Sequence, residues 1–276
     1  MKTESNYQLE IFQSADAINK AAAEFIIDIA EKSIAARGRF TISLSGGQTP
    51  GNLYQLLAEP AYRERLPWKN TFIFWGDERF VPADSMQNNA YMAKTLLLDQ
   101  LDIPSININP ISVDLDPSKA AEKYENTIKK LFRNDPPRFD LILLGLGENG
   151  HTASLFPGIN VVFEKKRLVK EVYLTEQNMY RITMTPNLIN QAYNIIFLVE
   201  GENKAEILMT ILTSPQQPDK FPAQIINAED GNLYWFVDIN AAALLPAYIE
   251  QQSQIKLNLH RNSNIFLKPN DNDLKM

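Results

Sequence analysis

DLILLGLGENGHTASLFPG, residues 140–158, joins an unbroken apolar run to a glycine-rich turn and a histidine. Leu141–Leu144 has no polar residue to turn toward solvent, which suits a strand buried on both faces of a parallel sheet. Gly145, Gly147 and Gly150 then allow a tight turn at the strand's carboxyl end, where a Cβ would clash. His151 follows, one of only two histidines in the chain. Pro157 and Gly158 end any helix before it has run two turns. A group that titrates near neutral pH is therefore expected at the carboxyl end of a central strand, the edge where open α/β sheets bind ligands.

Outward from this stretch, strands alternate with helices. Residues 14–37 predict a long amphipathic helix, with Ile18, Ala22, Phe25, Ile29 and Ala36 at helical spacing and Gly38 as its stop. Phe40–Leu44 reads as a short strand, followed by SGGQTP (45–50) and a helix beginning near Pro50. Thr71–Trp75 is a further strand, ending in GDERFVP. Residues 89–98 and 116–132 predict helices, the second with Pro117 in its first turn. Beyond the central strand, strands are expected over 168–174, 181–184, 193–199 and 233–237, and helices over 201–212 and 238–245. This alternation predicts a Rossmann-like, doubly wound, mostly parallel sheet with helices on both faces. Residues 1–250 read as a single α/β domain. Residues 251–276, rich in Gln, Asn and Lys, read as a polar tail in which IKLNLH could form one edge strand. There is no internal repeat.

Composition narrows the function classes. A chain of 276 residues that is 45% apolar and 22% charged can bury a sizeable core. A net charge of −6 argues against nucleic-acid binding but leaves room for a local Arg/Lys cluster around a small anion. Without cysteine, disulfides and thiolate metal sites are excluded. No apolar run approaches the ~20 residues of a membrane span, and MKTESNYQLE lacks the apolar core of a signal peptide. The expectation is a cytoplasmic protein that binds a small molecule. Oligomeric state is left open.

Several segments carry candidate chemistry. In SLSGGQTP, Ser45, Gly46, Gly47 and Thr49 stand before and within the start of a helix. Free backbone N–H groups and the helix dipole there suit a phosphate, although a plain strand-to-helix turn has the same parts. The segment is not a Walker A loop, since no GK[ST] follows. GDERFVP puts Asp77, Glu78 and Arg79 at a second strand end, between an apolar strand and a rigid Val-Pro. GLGENG matches GxGxxG formally, but it lies mid-chain and Pro157 interrupts the helix a pyrophosphate needs. Lys204 follows the apolar run IIFLV, and Arg181 precedes a short strand; either can supply phosphate-pairing charge. A serine-hydrolase reading lacks GxSxG, and a zinc reading fails with two distant histidines and no cysteine. His260 takes no role.

With these residues in hand, the chain resembles the 6-phosphogluconolactonase family, within the glucosamine-6-phosphate isomerase/deaminase superfamily. The resemblance runs in the family's order through LSGGQTP, GDERFVP, GLGENGHTASLFPG, RITMT, VEGENKAEIL, PAQII and WFVDINAAALL, over roughly residues 10–246. It implies hydrolysis of 6-phosphoglucono-1,5-lactone without metal or organic cofactor. Related deaminases typically read GHIAFNEPG, with a Glu assisting ring opening where this chain has Phe156. Three positions depart from the family pattern: Asn149 stands for the usual Asp of DGH, Asn88 for a Ser, and Gln48 for a common Ser. His151 is expected as general base, and with Asn149 in place of the usual Asp its acidic partner is expected to be Asp77 or Glu148. Ser45, Gly46, Gly47, Thr49, Arg79, Asn149, Arg181 and Lys204 are the expected substrate and phosphate contacts.

Overall fold

The structure is a computed structural model and describes residues 7–245 apart from residue 134. The first half runs β1 (Tyr7–Phe12), α1 (Ala15–Arg37), β2 (Phe40–Leu44), α2 (Gln48–Ala58), α3 (Pro60–Arg63), β3 (Thr71–Trp75), β4 (Asp77–Arg79), α4 (Asn89–Leu96) and α5 (Pro117–Leu131). The second half runs β5 (Leu141–Leu144), β6 (Val169–Leu174), β7 (Met179–Met184), α6 (Pro186–Ile189), β8 (Asn194–Val199), α7 (Ala205–Thr213) and β9 (Asn232–Asp238). The expected tail, with IKLNLH and His260, lies outside the described residues.

Six strands form one sheet in the order β1-β9-β8-β5-β2-β3, every neighbouring pair parallel. Every residue of β2, β5 and β8 is buried, as an all-parallel sheet covered on both faces demands. Register shows the two covers. Phe74, Ser43, Ile142, Ile195 and Leu233 share one face, where Phe74 packs on Tyr124 of α5, ring centroids 6.0 Å apart. Tyr234 and Phe236 alternate to the other face and meet Phe25 of α1 at 4.8 and 5.8 Å. The helix expected over 14–37 is α1, capped by Ser14, whose side chain accepts from the Ala17 N–H, and ended by Gly38 at φ 73°. Its buried stripe is centred on Ile18, Ala22 and Ile26, and Ala36 is exposed.

Four expectations are corrected. The strands expected over 168–174 and 181–184 belong to a separate antiparallel sheet, ordered β4-β7-β6. Residues 77–79, expected as charges at the end of the Thr71–Trp75 strand, are themselves a strand of that sheet. The chain leaves the parallel sheet at Gly76, whose N–H donates to the Leu44 carbonyl while its own carbonyl accepts from Met184. Residues 238–245 form turns rather than a helix: Asp238 ends β9, and its carboxylate accepts from the Gly201 and Ala241 N–H groups at 3.1 and 2.7 Å. The helix expected over 201–212 opens with a 3-10 turn, Glu202–Lys204, before α7. β1 was not expected at all.

α5 ties the two sheets together. The buried Glu125 carboxylate accepts from the Leu168 and Val169 N–H groups and from Arg167 Nε, at 3.1, 3.3 and 2.7 Å. From β2 the chain moves to β3 on one side, and β5 then fills the other. The sheet's topological switch point therefore falls between the carboxyl ends of β2 and β5. Among the described residues, no helix is long and apolar enough to cross a membrane.

Candidate active site

The loop after β5 is folded around His151. The Gly147 N–H donates to the His151 carbonyl at 2.8 Å, and the Gly150 N–H to the Gly147 carbonyl at 2.9 Å. A Cβ on Gly147 would overlap the imidazole, and Gly150 holds φ 80°, so both need glycine. Gly145 does not: its Cβ position is open space. Asn149 Oδ1 accepts from the His151 backbone N–H at 3.2 Å and lies 2.6 Å from Nδ1. An atom that accepts from a backbone N–H is the amide oxygen, so Nδ1 carries the proton and Nε2 keeps the basic lone pair. The Phe156 ring stacks on the imidazole, centroids 4.1 Å apart and planes 16° from parallel. Burial, followed by the charges of Arg181, Lys204 and Arg79, pushes His151 down to about 4, so it is neutral at pH 7. The segment after Gly150 runs through turns with no α-helix, so the GxGxxG match lacks the helix that would receive a pyrophosphate.

The second sheet brings two arginines to the same place. Arg79 of β4 and Arg181 of β7 are direct cross-strand partners. Like charges so paired are unfavourable unless an anion joins them. Arg79 Nη1 donates to Asn89 Oδ1 and the Gln87 carbonyl, at 3.1 and 2.9 Å. Arg181 is 8% exposed, its Nη2 donates to Gln177 Oε1 at 2.5 Å, and its Nε is buried without a partner. Asp77 is buried beside them and accepts from Ser154 Oγ at 2.6 Å. Burial raises its pKa, against the pull of Ser154 and the two arginines. Glu78 alternates away and caps α4: it accepts from the Arg79, Asn89 and Ala90 N–H groups at 2.8, 2.7 and 2.9 Å. Burial pushes that carboxyl up to about 7. Asn88, the departure from Ser, also caps α4, its side chain accepting from the Tyr91 N–H at 2.8 Å.

The β2 loop completes the site. Gly47 precedes α2 at φ 110° with no side-chain cap, so the helix's first N–H groups have no intrahelical partner. A cleft of about 270 Å³ opens there, lined by Gly46, Gly47, Thr49, Leu146, Glu200 and Lys204 among others. Ser45 does not line it: the Tyr54 hydroxyl engages both its N–H and its carbonyl, and its Oγ is buried without a partner. Gly46 packs so closely on Asn89 that a Cβ would overlap the amide. Lys204 Nζ lies 3.9 Å from Glu148 Oε1, which also accepts from Asn203 Nδ2 at 2.6 Å. Glu148 thus pairs with the loop after β8. No hydrogen bond joins Glu148 or Asp77 to His151, whose side-chain partner is Asn149.

The structure therefore gathers His151, Asn149, Arg79, Arg181, Asp77 and Lys204 around the switch point, with Gly46, Gly47 and Thr49 on the adjoining cleft. It sets Ser45 behind the cleft and turns Glu148 away from the imidazole. Asn89, Ser154 and Glu200 were not anticipated. Asn89 and Ser154 hold Arg79 and Asp77, and Glu200 keeps a buried, unpartnered carboxylate oxygen beside the cleft. Ser154 was in plain view, three residues after the histidine. Among the described residues, no group of three or more His, Asp or Glu side chains is arranged to hold a metal ion.

Fold and site together define a doubly wound α/β protein with a histidine and three cations converging at its switch point. The model of the glucosamine-6-phosphate isomerase/6-phosphogluconolactonase family matches residues 13–235, and the chain belongs to that family. It is 42% identical over 214 residues to the 6-phosphogluconolactonase of Synechocystis, covering 76% of this chain and 86% of the relative. It is 38% identical to that of Haemophilus influenzae, covering 83% and 95%. The solved 6-phosphogluconolactonase of Trypanosoma brucei superposes with a TM-score of 0.77 at 29% identity, covering 88% of this chain and all of the other.

Proposed function

We propose that this chain hydrolyses 6-phospho-D-glucono-1,5-lactone to 6-phospho-D-gluconate, in the oxidative branch of the pentose phosphate pathway, with His151 as general base. The observation that carries this is the Asn149 hydrogen bond, which leaves Nε2 of a neutral imidazole as the basic atom. In the reaction, Nε2 takes a proton from water, and the hydroxide oxygen bonds to the lactone carbonyl carbon. The tetrahedral oxyanion collects hydrogen bonds from N–H groups of the glycine turn or from Arg79. As the carbonyl re-forms, the bond from carbon to the ring oxygen breaks, and the imidazolium returns its proton to that oxygen.

The open N–H groups before α2, with Lys204 and Arg181, are suited to the 6-phosphate. An anion fixed there orients the distant carbonyl against His151. Asp77 sits beside the arginines and balances part of their charge when no anion is bound. The deaminase alternative needs a further proton carrier, and at its expected position Phe156 offers only a ring.

The test is hydrolysis of freshly generated lactone, read above its spontaneous opening, by wild type and His151→Ala. The expected loss is ~10²–10⁴ in rate. Undiminished activity in the variant would move the base to Asp77. Ammonia release from glucosamine 6-phosphate by the wild type would replace the reading with the deaminase.

A further inference from the structure

The Phe156 ring has two polar neighbours that no packing role requires. It lies nearly parallel to the His151 imidazole at 4.1 Å, and the Arg181 guanidinium carbon stands over it, 6.0 Å from the centroid. Apart from the Gly147 backbone packed near its Nδ1–Cε1 edge, the imidazole is held by one hydrogen bond, from Nδ1 to Asn149 Oδ1. A single hydrogen bond leaves the ring free to tilt about the line it defines, and a tilt swings Nε2 away from any fixed substrate atom. A stacked aromatic ring removes that freedom, because offset stacking favours one separation and near-parallel planes.

We propose that Phe156 is a positioning residue for His151: its ring sets the plane of the imidazole and keeps water from that face, while Asn149 sets the rotation within the plane. The inference rests on the reading of His151 as the base. The groups facing the imidazole come from every surrounding element: Asn149 and Phe156 on its own loop, Arg79 from β4, Arg181 from β7 and Lys204 from the turn before α7. No carboxylate hydrogen-bonds to it. Burial, to which the Phe156 ring contributes one face, disfavours the imidazolium most, and the three cations disfavour it further. A side chain without a ring at 156 lets the imidazole tilt and lets water reach it.

Phe156→Leu and Phe156→Tyr, each beside wild type, separate positioning from packing. The full chain has two histidines, so the His151 imidazole is assigned by NMR with His260→Ala as reference. In the wild type it is expected to titrate near 4. In Phe156→Leu the midpoint is expected to rise by about one pH unit or more, toward the ordinary ~6.5. In Phe156→Tyr, which keeps the stack, it should stay at the wild-type value. In lactone hydrolysis, Phe156→Leu should lower kcat about 10-fold or more with KM little changed, as expected for a misaligned base, and Phe156→Tyr should restore it.

An unmoved NMR midpoint in Phe156→Leu overturns the proposal, as does a loss of activity that Phe156→Tyr shares. If Phe156→Leu fails to fold, Phe156→Met and the tyrosine variant decide it by the same titration. The NMR arm needs no substrate, so a wild type inactive on the lactone would unseat the proposed reaction and leave the positioning of His151 still tested.

Discussion

The hydrogen bond from His151 Nδ1 to Asn149 Oδ1 fixes a tautomer without adding a charge. A carboxylate at that position would also favour the imidazolium, and an opposite charge at such range moves a pKa by about 1–3 units. Asn149→Asp is therefore predicted to move the acid limb of kcat/KM upward from its start near 4. The neutral base is needed, so the variant loses activity at acid pH where the wild type keeps it. Above neutrality it gains, because its imidazole is the stronger base. A pH–rate profile of both proteins checks this, and superimposable limbs would refute it. At this scale His151, Arg79 and Lys204 were legible, because each stands beside a strand end marked by an apolar run and glycine or proline. The partner of Glu148 was not: Asn203 reaches it from 55 positions away. Ser45 was misread because Tyr54, nine positions on in α2, claims its backbone.

β4 shows how an element changes the meaning of its residues. Read as the end of a strand, Asp77, Glu78 and Arg79 are three charges with one destination. As a strand they alternate, with Asp77 and Arg79 toward the site and Glu78 onto the first N–H groups of α4. The signal for a separate sheet was present in the strands themselves. β6 mixes buried Val169, Val172 and Leu174 with accessible Lys170, Glu171 and Tyr173, whereas β2, β5 and β8 are buried throughout. β1 escaped notice because it is one short strand, made part of the sheet by β9 from the far end of the chain. The Ala-rich stretch after Asp238 has good helix propensity, and the Asp238 carboxylate accepts from the Ala241 N–H as at a helix start, yet residues 239–244 run through turns.

Glu78 also makes this element pH-sensitive. Its carboxyl stands at about 7 against an ordinary 4.5, so between those values the folded protein keeps a proton that the unfolded chain has released. The resulting stabilisation is complete below the unfolded pKa and is lost as pH rises through about 7. Glu78→Gln cannot titrate, so the stability advantage of wild type over variant should shrink from pH 4.5 to pH 8, by about 1–3 kcal/mol. Urea unfolding of both proteins at the two pH values measures it. A difference independent of pH would show that Glu78 holds no such proton.

Over the whole molecule, a chain of net charge −6 collects three cations at one sheet edge, each from a different part of the sequence. The alternation of strands and helices made the parallel sheet and its ligand-binding edge readable in advance. It could not reveal that an antiparallel sheet would set Arg79 opposite Arg181, because strand pairing is a long-range choice with no local mark. That pairing has a kinetic consequence. In the free protein burial, and after it Arg181, Lys204 and Arg79, hold the His151 pKa down. A bound phosphate monoester carries a charge of about −1.5 to −2 and offsets much of their field. His151 is then a stronger base in the complex than in the free protein. The acid limb of kcat reports the complex and that of kcat/KM the free protein. The limb of kcat is predicted to lie at the higher pH, with kcat falling first as the solution is acidified. Complete profiles between about pH 3 and 8 measure both limbs. Coincident limbs would mean that the phosphate is seated away from these cations, and a kcat limb at the lower pH would mean that binding leaves the imidazole more enclosed and no better compensated.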